Sequence, residues 1–303
     1  MTEFVVSAAI GEKMDTALKL RIDMESDKIL SENDISTSLS QSQLVGKLTS
    51  EFIKDPLFSV FRIMGLSEIP FAERLPYTQE LISYINQNVA TEEGFSCLGG
   101  LKEIVPCYNA MLLEAYSRLS LTESKQAQAA LNWIKQYQLW GRNQITPWPH
   151  KGICKHGGCL GAIPCYIGIG KTVRALITYS EFASHKDIEV ENMMLQGINY
   201  MLQHQMFQRL SNSRPISPHI LDVMMPQNYA LSLTDLIYIV GKRNLSSNAN
   251  ASLLMKLLKE KEIANNQWKI DYIYNYKGYV AFENRRKVSE WISALFPIWL
   301  SQK

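Results

Sequence analysis

Charge of one sign is what this sequence has least of. Its 31 basic and 29 acidic side chains leave a formal charge of +2, and no Lys/Arg run is interleaved with aromatics. That excludes the electrostatic and stacking pattern of a nucleic-acid groove. Long apolar runs are missing too: no segment reaches the roughly 18 residues of a membrane-spanning helix. The opening stretch MTEFVVSAAIGEKMDTALKLRID lacks the basic leader and apolar core of an export signal. The expectation is a cytoplasmic protein that does not span a membrane. Cysteine is scarce and odd in number, five in 303 residues. A chain of this length can bury its own core, so thiols or metal ligands are expected in place of a disulfide framework. Period-two alternation is also rare. NQWKIDYIYNYKGYVAF, residues 266–282, is the one ribbon-like stretch, expected as a short hairpin or an irregular loop.

What is present is a repeat. CLGGLKEIVPCYNAMLLEAYSRL (Cys97–Leu119) and CLGAIPCYIGIGKTVRALITY (Cys159–Tyr179) both read Cys-Leu-Gly, a short loop, an Ile, then Pro-Cys-Tyr opening an apolar run. PQNYALSLTDLIYIVG, with Pro226 leading to Tyr229, is a weaker third copy, and VSEWISALFPIWL, with Trp291, a degenerate fourth. The aromatic positions 108, 166, 229 and 291 recur at intervals of 58, 63 and 62 residues, which suits a helical hairpin with long loops.

Between the apolar runs lie amphipathic ones. YTQELISYINQNV, ESKQAQAALNWIKQYQ, VENMMLQGINYMLQHQ and NASLLMKLLKEKEI each place apolar residues on one helical face. Helices apolar nearly all round therefore alternate with half-solvated ones. An all-α protein is expected, with an inner ring of buried helices wrapped by an outer ring, an α/α toroid of about five hairpins over residues 46–303. Residues 1–45, polar and Ser-rich around SENDISTSLSQSQ with a helix near 11–24, form an arm or cap.

Gly-Gly-Cys-Leu-Gly ahead of Pro-Cys-Tyr resembles the Gly-Gly…Asp-x-Cys-Tyr-Ser segment of protein prenyltransferase β subunits. The outer-helix ending ANNQW is similar to the repeat shared by squalene cyclases and prenyltransferases. The likeness spans roughly residues 48–301 as a pattern and about ten residues as a motif. It implies the α/α-toroid fold, an isoprenoid-type hydrophobic ligand and zinc. Carried over, Cys165 is the cysteine ligand and His219 the distant histidine. Ile163 stands where the family has Asp, and the Asp-x-Asp-Asp of the protonating cyclases is absent.

A second zinc set is local: Cys154, His156, Cys159 and Cys165, thiolate and imidazole donors that suit a tetrahedral ion. The alternative for Cys107 and Cys165 is a small thiol packed at the first turn of a buried helix. Lys151, Lys155, Lys171 and Arg174 fall near the helix starts that would form a toroid's mouth, where they could meet an anion; solvated surface charge is the alternative. Tyr108, Tyr166, Tyr229, Trp291 and Trp148 could line a cavity for a polyprenyl chain, or they could fill the ring as packing wedges. Two function classes follow. One is a prenyltransferase- or cyclase-like binder of a hydrophobic small molecule, with zinc. The other is a non-catalytic toroid that offers its rim to a protein partner.

Overall fold

The structure is a computed structural model that describes residues 14–150 and 164–301. It is all-helical: among the described residues there is no strand, only isolated bridges at Ala90–Phe95, Gln208–Pro215 and Ala264–Gln267. Among the described residues twelve α-helices run in order: α1 Thr16–Glu25, α2 Glu32–Gln41, α3 Gln43–Thr49, α4 Pro56–Ser67, α5 Pro76–Asn88, α6 Pro106–Arg118, α7 Lys125–Tyr137, α8 Tyr166–Phe182, α9 Ile188–Gln203, α10 Leu233–Lys242, α11 Ser252–Glu260 and α12 Glu290–Leu300.

Local sequence explains where most of them begin. Proline opens α4, α5 and α6, where its missing N–H costs nothing. Asp55, Ser124, Asp187 and Ser289 cap α4, α7, α9 and α12 by accepting first-turn amides. Ser232 and Asp235 form a reciprocal capping box at α10. That box explains a departure from the repeat. Pro106 opens α6 directly, whereas α10 starts at Leu233, well after Pro226.

Two classes of helix result. Ser59–Ser67 of α4, Gly168–Tyr179 of α8 and Leu233–Gly241 of α10 are buried without a break; α6 is buried along its length except at Cys107. By contrast α5, α7 and α11 bury one face only. The buried helices are neighbours in chain order, α4 on α6, α6 on α8, α8 on α10 and α10 on α12, while α5, α7 and α9 each pack on the helix before them. Contact is close enough that small residues are required. A Cβ on Gly241 of α10 would lie 2.5 Å from the Trp299 carbonyl oxygen of α12, below van der Waals distance.

The described part of the N-terminal segment is built into this body. Ala17, Leu18, Leu20 and Arg21 of α1 are buried, and α1 rests on α2 and α12. The 266–282 stretch is irregular: alternation survives as buried Trp268 and Ile270 either side of exposed Lys269, but no partner strand pairs with it.

Candidate functional site

Where α4, α6, α8 and α10 converge, the interior is charged. Arg174 of α8 reaches three other helices: its Nη2 donates to Glu68 at the end of α4 (3.0 Å), its Nε to Glu114 of α6 (3.0 Å) and its Nη1 to Asp235 of α10 (3.2 Å). Lys171 Nζ donates to Asp235 (2.9 Å) and to Gln227 (3.2 Å). Arg118 donates to Glu114 (3.2 Å), and Arg21 of α1 donates to Glu68 and Glu25, both at 2.8 Å. Lys242 closes the chain of pairs on Glu25 and Glu181, 3.1 Å each. The Tyr238 ring lies beneath Arg174, Arg118 and Lys242, at 4.5, 5.5 and 5.8 Å.

Five cations thus meet five carboxylates in a hub that is buried at Arg174, Lys171, Glu68, Glu114 and Asp235 and reaches the surface at Glu181. An isolated charge here would cost several kcal/mol, about as much as any single interaction can return, so mutual pairing is what lets the group persist. The titration directions agree. Desolvation opposes ionisation of Glu114, but Arg174 and Arg118 outweigh it and hold the carboxyl below its ordinary range. Against the same opposition, Arg21, Lys242 and Arg118 hold Glu25 at about 2. For Lys171 desolvation wins over Asp235, and its pKa is lowered.

Above the hub, around the N-terminal ends of α4 and α6, lies an aromatic cluster. Phe61 is its centre, with Tyr229 at 4.7 Å, Tyr274 at 5.5 Å, Tyr279 at 6.0 Å, Tyr276 at 6.1 Å and Phe58 at 6.4 Å between ring centroids. Tyr274 and Tyr276 stack at 4.6 Å. Hydroxyls fix the inner rings: Tyr108 donates to the Pro56 carbonyl (2.5 Å), Tyr229 to Leu57 (3.0 Å) and Tyr279 to Pro226 (2.8 Å). The outer rings face water; Tyr276 is 51% exposed. Cys107 lies close enough to raise the pKa of Tyr229 and Tyr274 after desolvation. Desolvation pushes its own thiol up to about 12, with Cys165 adding to the effect and Lys171 opposing it.

The residues singled out by sequence fall in different places. Tyr108 and Tyr229 come together, 6.2 Å apart. The other three do not join them. Tyr166 packs on Tyr200 and His204 and donates to the Met206 carbonyl (2.6 Å). Trp148 packs on Trp133 and Tyr137 of α7. Trp291 packs on Phe282. Lys171 and Arg174 are in the hub, 0% and 1% exposed and already matched by carboxylates, away from any open rim. Lys151, Lys155, Cys154, His156 and Cys159 lie outside the described residues.

Of the zinc candidates within them, Cys165 is the residue before α8, packed near the start of α6: a Cβ on Gly168 would meet Pro106 at 2.9 Å and Cys165 Cβ at 3.6 Å. His219, its proposed distant partner, bonds through Nδ1 to Asp222 (2.8 Å) and stacks on Tyr272 at 4.0 Å. Among the described residues no group of three or more His, Cys, Asp or Glu side chains is arranged to hold a metal. Sequence reading missed the carboxylates Glu68, Glu114 and Asp235. Their signal was available, since each is a charge set in an otherwise apolar helix or at its end.

The chain matches no protein-family model, no curated protein and no solved structure.

Proposed function

We propose that the protein is an α/α toroid that binds a hydrophobic, isoprenoid-type small molecule at its aromatic end. The toroid reading is supported by the chain-order packing of α4, α6, α8, α10 and α12 with one-faced helices outside them. The observation that carries the binding reading is the Phe61-centred cluster, in which buried rings are anchored by their hydroxyls while Tyr274 and Tyr276 keep a face toward solvent. Such a surface gains from apolar contact with a ligand. The hub beneath it is fully paired, so the ligand would rest on the aromatic end and not thread the middle.

Zinc belongs to this proposal through Cys154, His156, Cys159 and Cys165. Bound through three of these four donors, the ion would keep one position open and could supply a Lewis acid there. Cys165 would contribute one donor, and the Phe61 cluster would hold the apolar part of the ligand.

The second reading, a non-catalytic scaffold with structural cysteines, is favoured by one observation: the hub fills the point where four helices meet. Calorimetric titration with a long-chain isoprenoid alcohol separates the two. The binding reading expects saturable uptake that weakens at least about tenfold in Tyr274→Ala and Phe58→Ala, about 1.4 kcal/mol or more. Absence of uptake, or uptake unchanged in both variants, supports the scaffold. Zinc content of protein prepared without a metal-affinity tag tests the metal: about one ion per chain, lost in Cys165→Ala, is expected.

A further inference from the structure

The 266–289 segment also forms a concavity that shares no lining residue with the aromatic cluster. It is a cleft of about 700 Å³ lined by Lys269, Arg285 and Arg286, with Ile270, Ile273 and Asp271 among them. Its backbone is rigidly held. Buried Trp268 donates its indole N–H to the Leu258 carbonyl (3.0 Å) and its amide to Ser293 Oγ (3.1 Å), and Ser289 donates its amide to the Trp268 carbonyl (2.8 Å). These bonds draw the two limbs of the segment together, so that Lys269 on one faces the cleft shared with Arg285 and Arg286 on the other. Asn284 fixes the turn between, its Oδ1 accepting the amides of Arg286 (2.8 Å) and Lys287 (3.3 Å).

The charge there is unbalanced. Asp271, the acidic residue of the lining, is already engaged by Lys261 Nζ (2.8 Å) and by the Val223 amide (2.8 Å). The side chains of Lys269, Arg285 and Arg286 make no ion pair with any described residue. Single exposed cations without a described carboxylate partner, such as Lys47, Lys54 and Arg214, occur elsewhere; what marks this cleft is that three of them line one concavity. Three like charges held around one concavity repel one another unless an anion joins them.

We propose that this cleft is an anion site that takes a phosphate-bearing ligand. Adjacent guanidinium forks match a tetrahedral, multiply charged oxyanion better than a single carboxylate, and the lysine adds a third donor. Ile270 and Ile273 give the bound group an apolar wall. The site stands whether or not the aromatic end holds a ligand.

The test is calorimetry with inorganic pyrophosphate at low ionic strength, beside sedimentation with phosphatidylcholine vesicles carrying phosphatidic acid. Proteins compared are the full chain, Arg285→Ala/Arg286→Ala, and Lys256→Ala/Lys259→Ala as a control of equal charge change on α11. Arg285 and Arg286 are exposed, so thermal unfolding should be unchanged in both variants. Pyrophosphate binding that weakens at least about tenfold in the arginine variant and not in the control is the expected result. Binding to the vesicles alone, with the same arginine dependence, assigns the phosphate to a lipid headgroup. No binding to either, or equal losses in the two variants, overturns the proposal.

Discussion

The hub and the aromatic cluster sit about two turns apart on the same helices: Phe61 and Glu68 belong to α4 and its end, Tyr108 and Glu114 to α6. Both are built from side chains with polar ends, and they satisfy those ends differently. In the hub every cation but Arg118, which pairs with Glu114 of its own helix, is answered by a carboxylate from another helix, so the polar atoms are consumed in joining α1, α4, α6, α8 and α10. At the aromatic end the hydroxyls are consumed by backbone carbonyls of α4 and of Pro226, which leaves ring faces over. One region is closed to ligands by its own completeness; the other is anchored yet open. The difference predicts that damage to the hub reads out as lost stability and damage to the aromatic end as lost binding.

The sharpest break is Glu114→Ala. It removes the carboxylate that pairs with Arg118 and one of the three that hold Arg174, and should lower stability by about 3–5 kcal/mol, seen as a shift of the urea midpoint. Acid gives a second effect of the same origin. Glu25 is held at about 2 against an ordinary value of 4.5. A depressed carboxyl contributes stability that is complete above the unfolded value and is lost as pH falls through the folded one. Stability should therefore drop between about pH 4.5 and 2, by on the order of 3 kcal/mol for this group. Glu25→Gln should flatten that part of the profile. Gly241→Ala, which drives a methyl into the Trp299 backbone, should cost about 1–3 kcal/mol by overpacking α10 against α12. Smallest in stability is Tyr274→Ala, at about 1 kcal/mol or less; its main consequence should be in ligand uptake, the reverse of Glu114→Ala.

Helices were the legible part of this chain. The amphipathic stretches became α5, α7, α9 and α11 because a 3.6-residue stripe is a local property. The hub was not legible in the same way. Lys171 and Arg174 read as rim charges because basic side chains usually seek water, and only the distant Glu68, Glu114 and Asp235 make their burial tolerable. No window of sequence contains both partners. The aromatic repeat misled for a related reason. Equal spacing placed Tyr108, Tyr166, Tyr229 and Trp291 in one set, but of these Tyr108 and Tyr229 meet, while Tyr166 turns toward Tyr200 of α9 and Trp291 toward Phe282. Phe58, Tyr274, Tyr276 and Tyr279 took the places around Phe61, brought there by an irregular segment that carries no periodic signal.

Arg174 and Glu114 join α6 to α8 and should act as one cooperative unit, which a double-mutant cycle on Arg174→Leu and Glu114→Leu, read by chemical unfolding, would show. Each single change should be strongly destabilising, and the double change should cost less than their sum by about 1.5–3 kcal/mol. Additive losses would mean that Arg174 and Glu114 act independently.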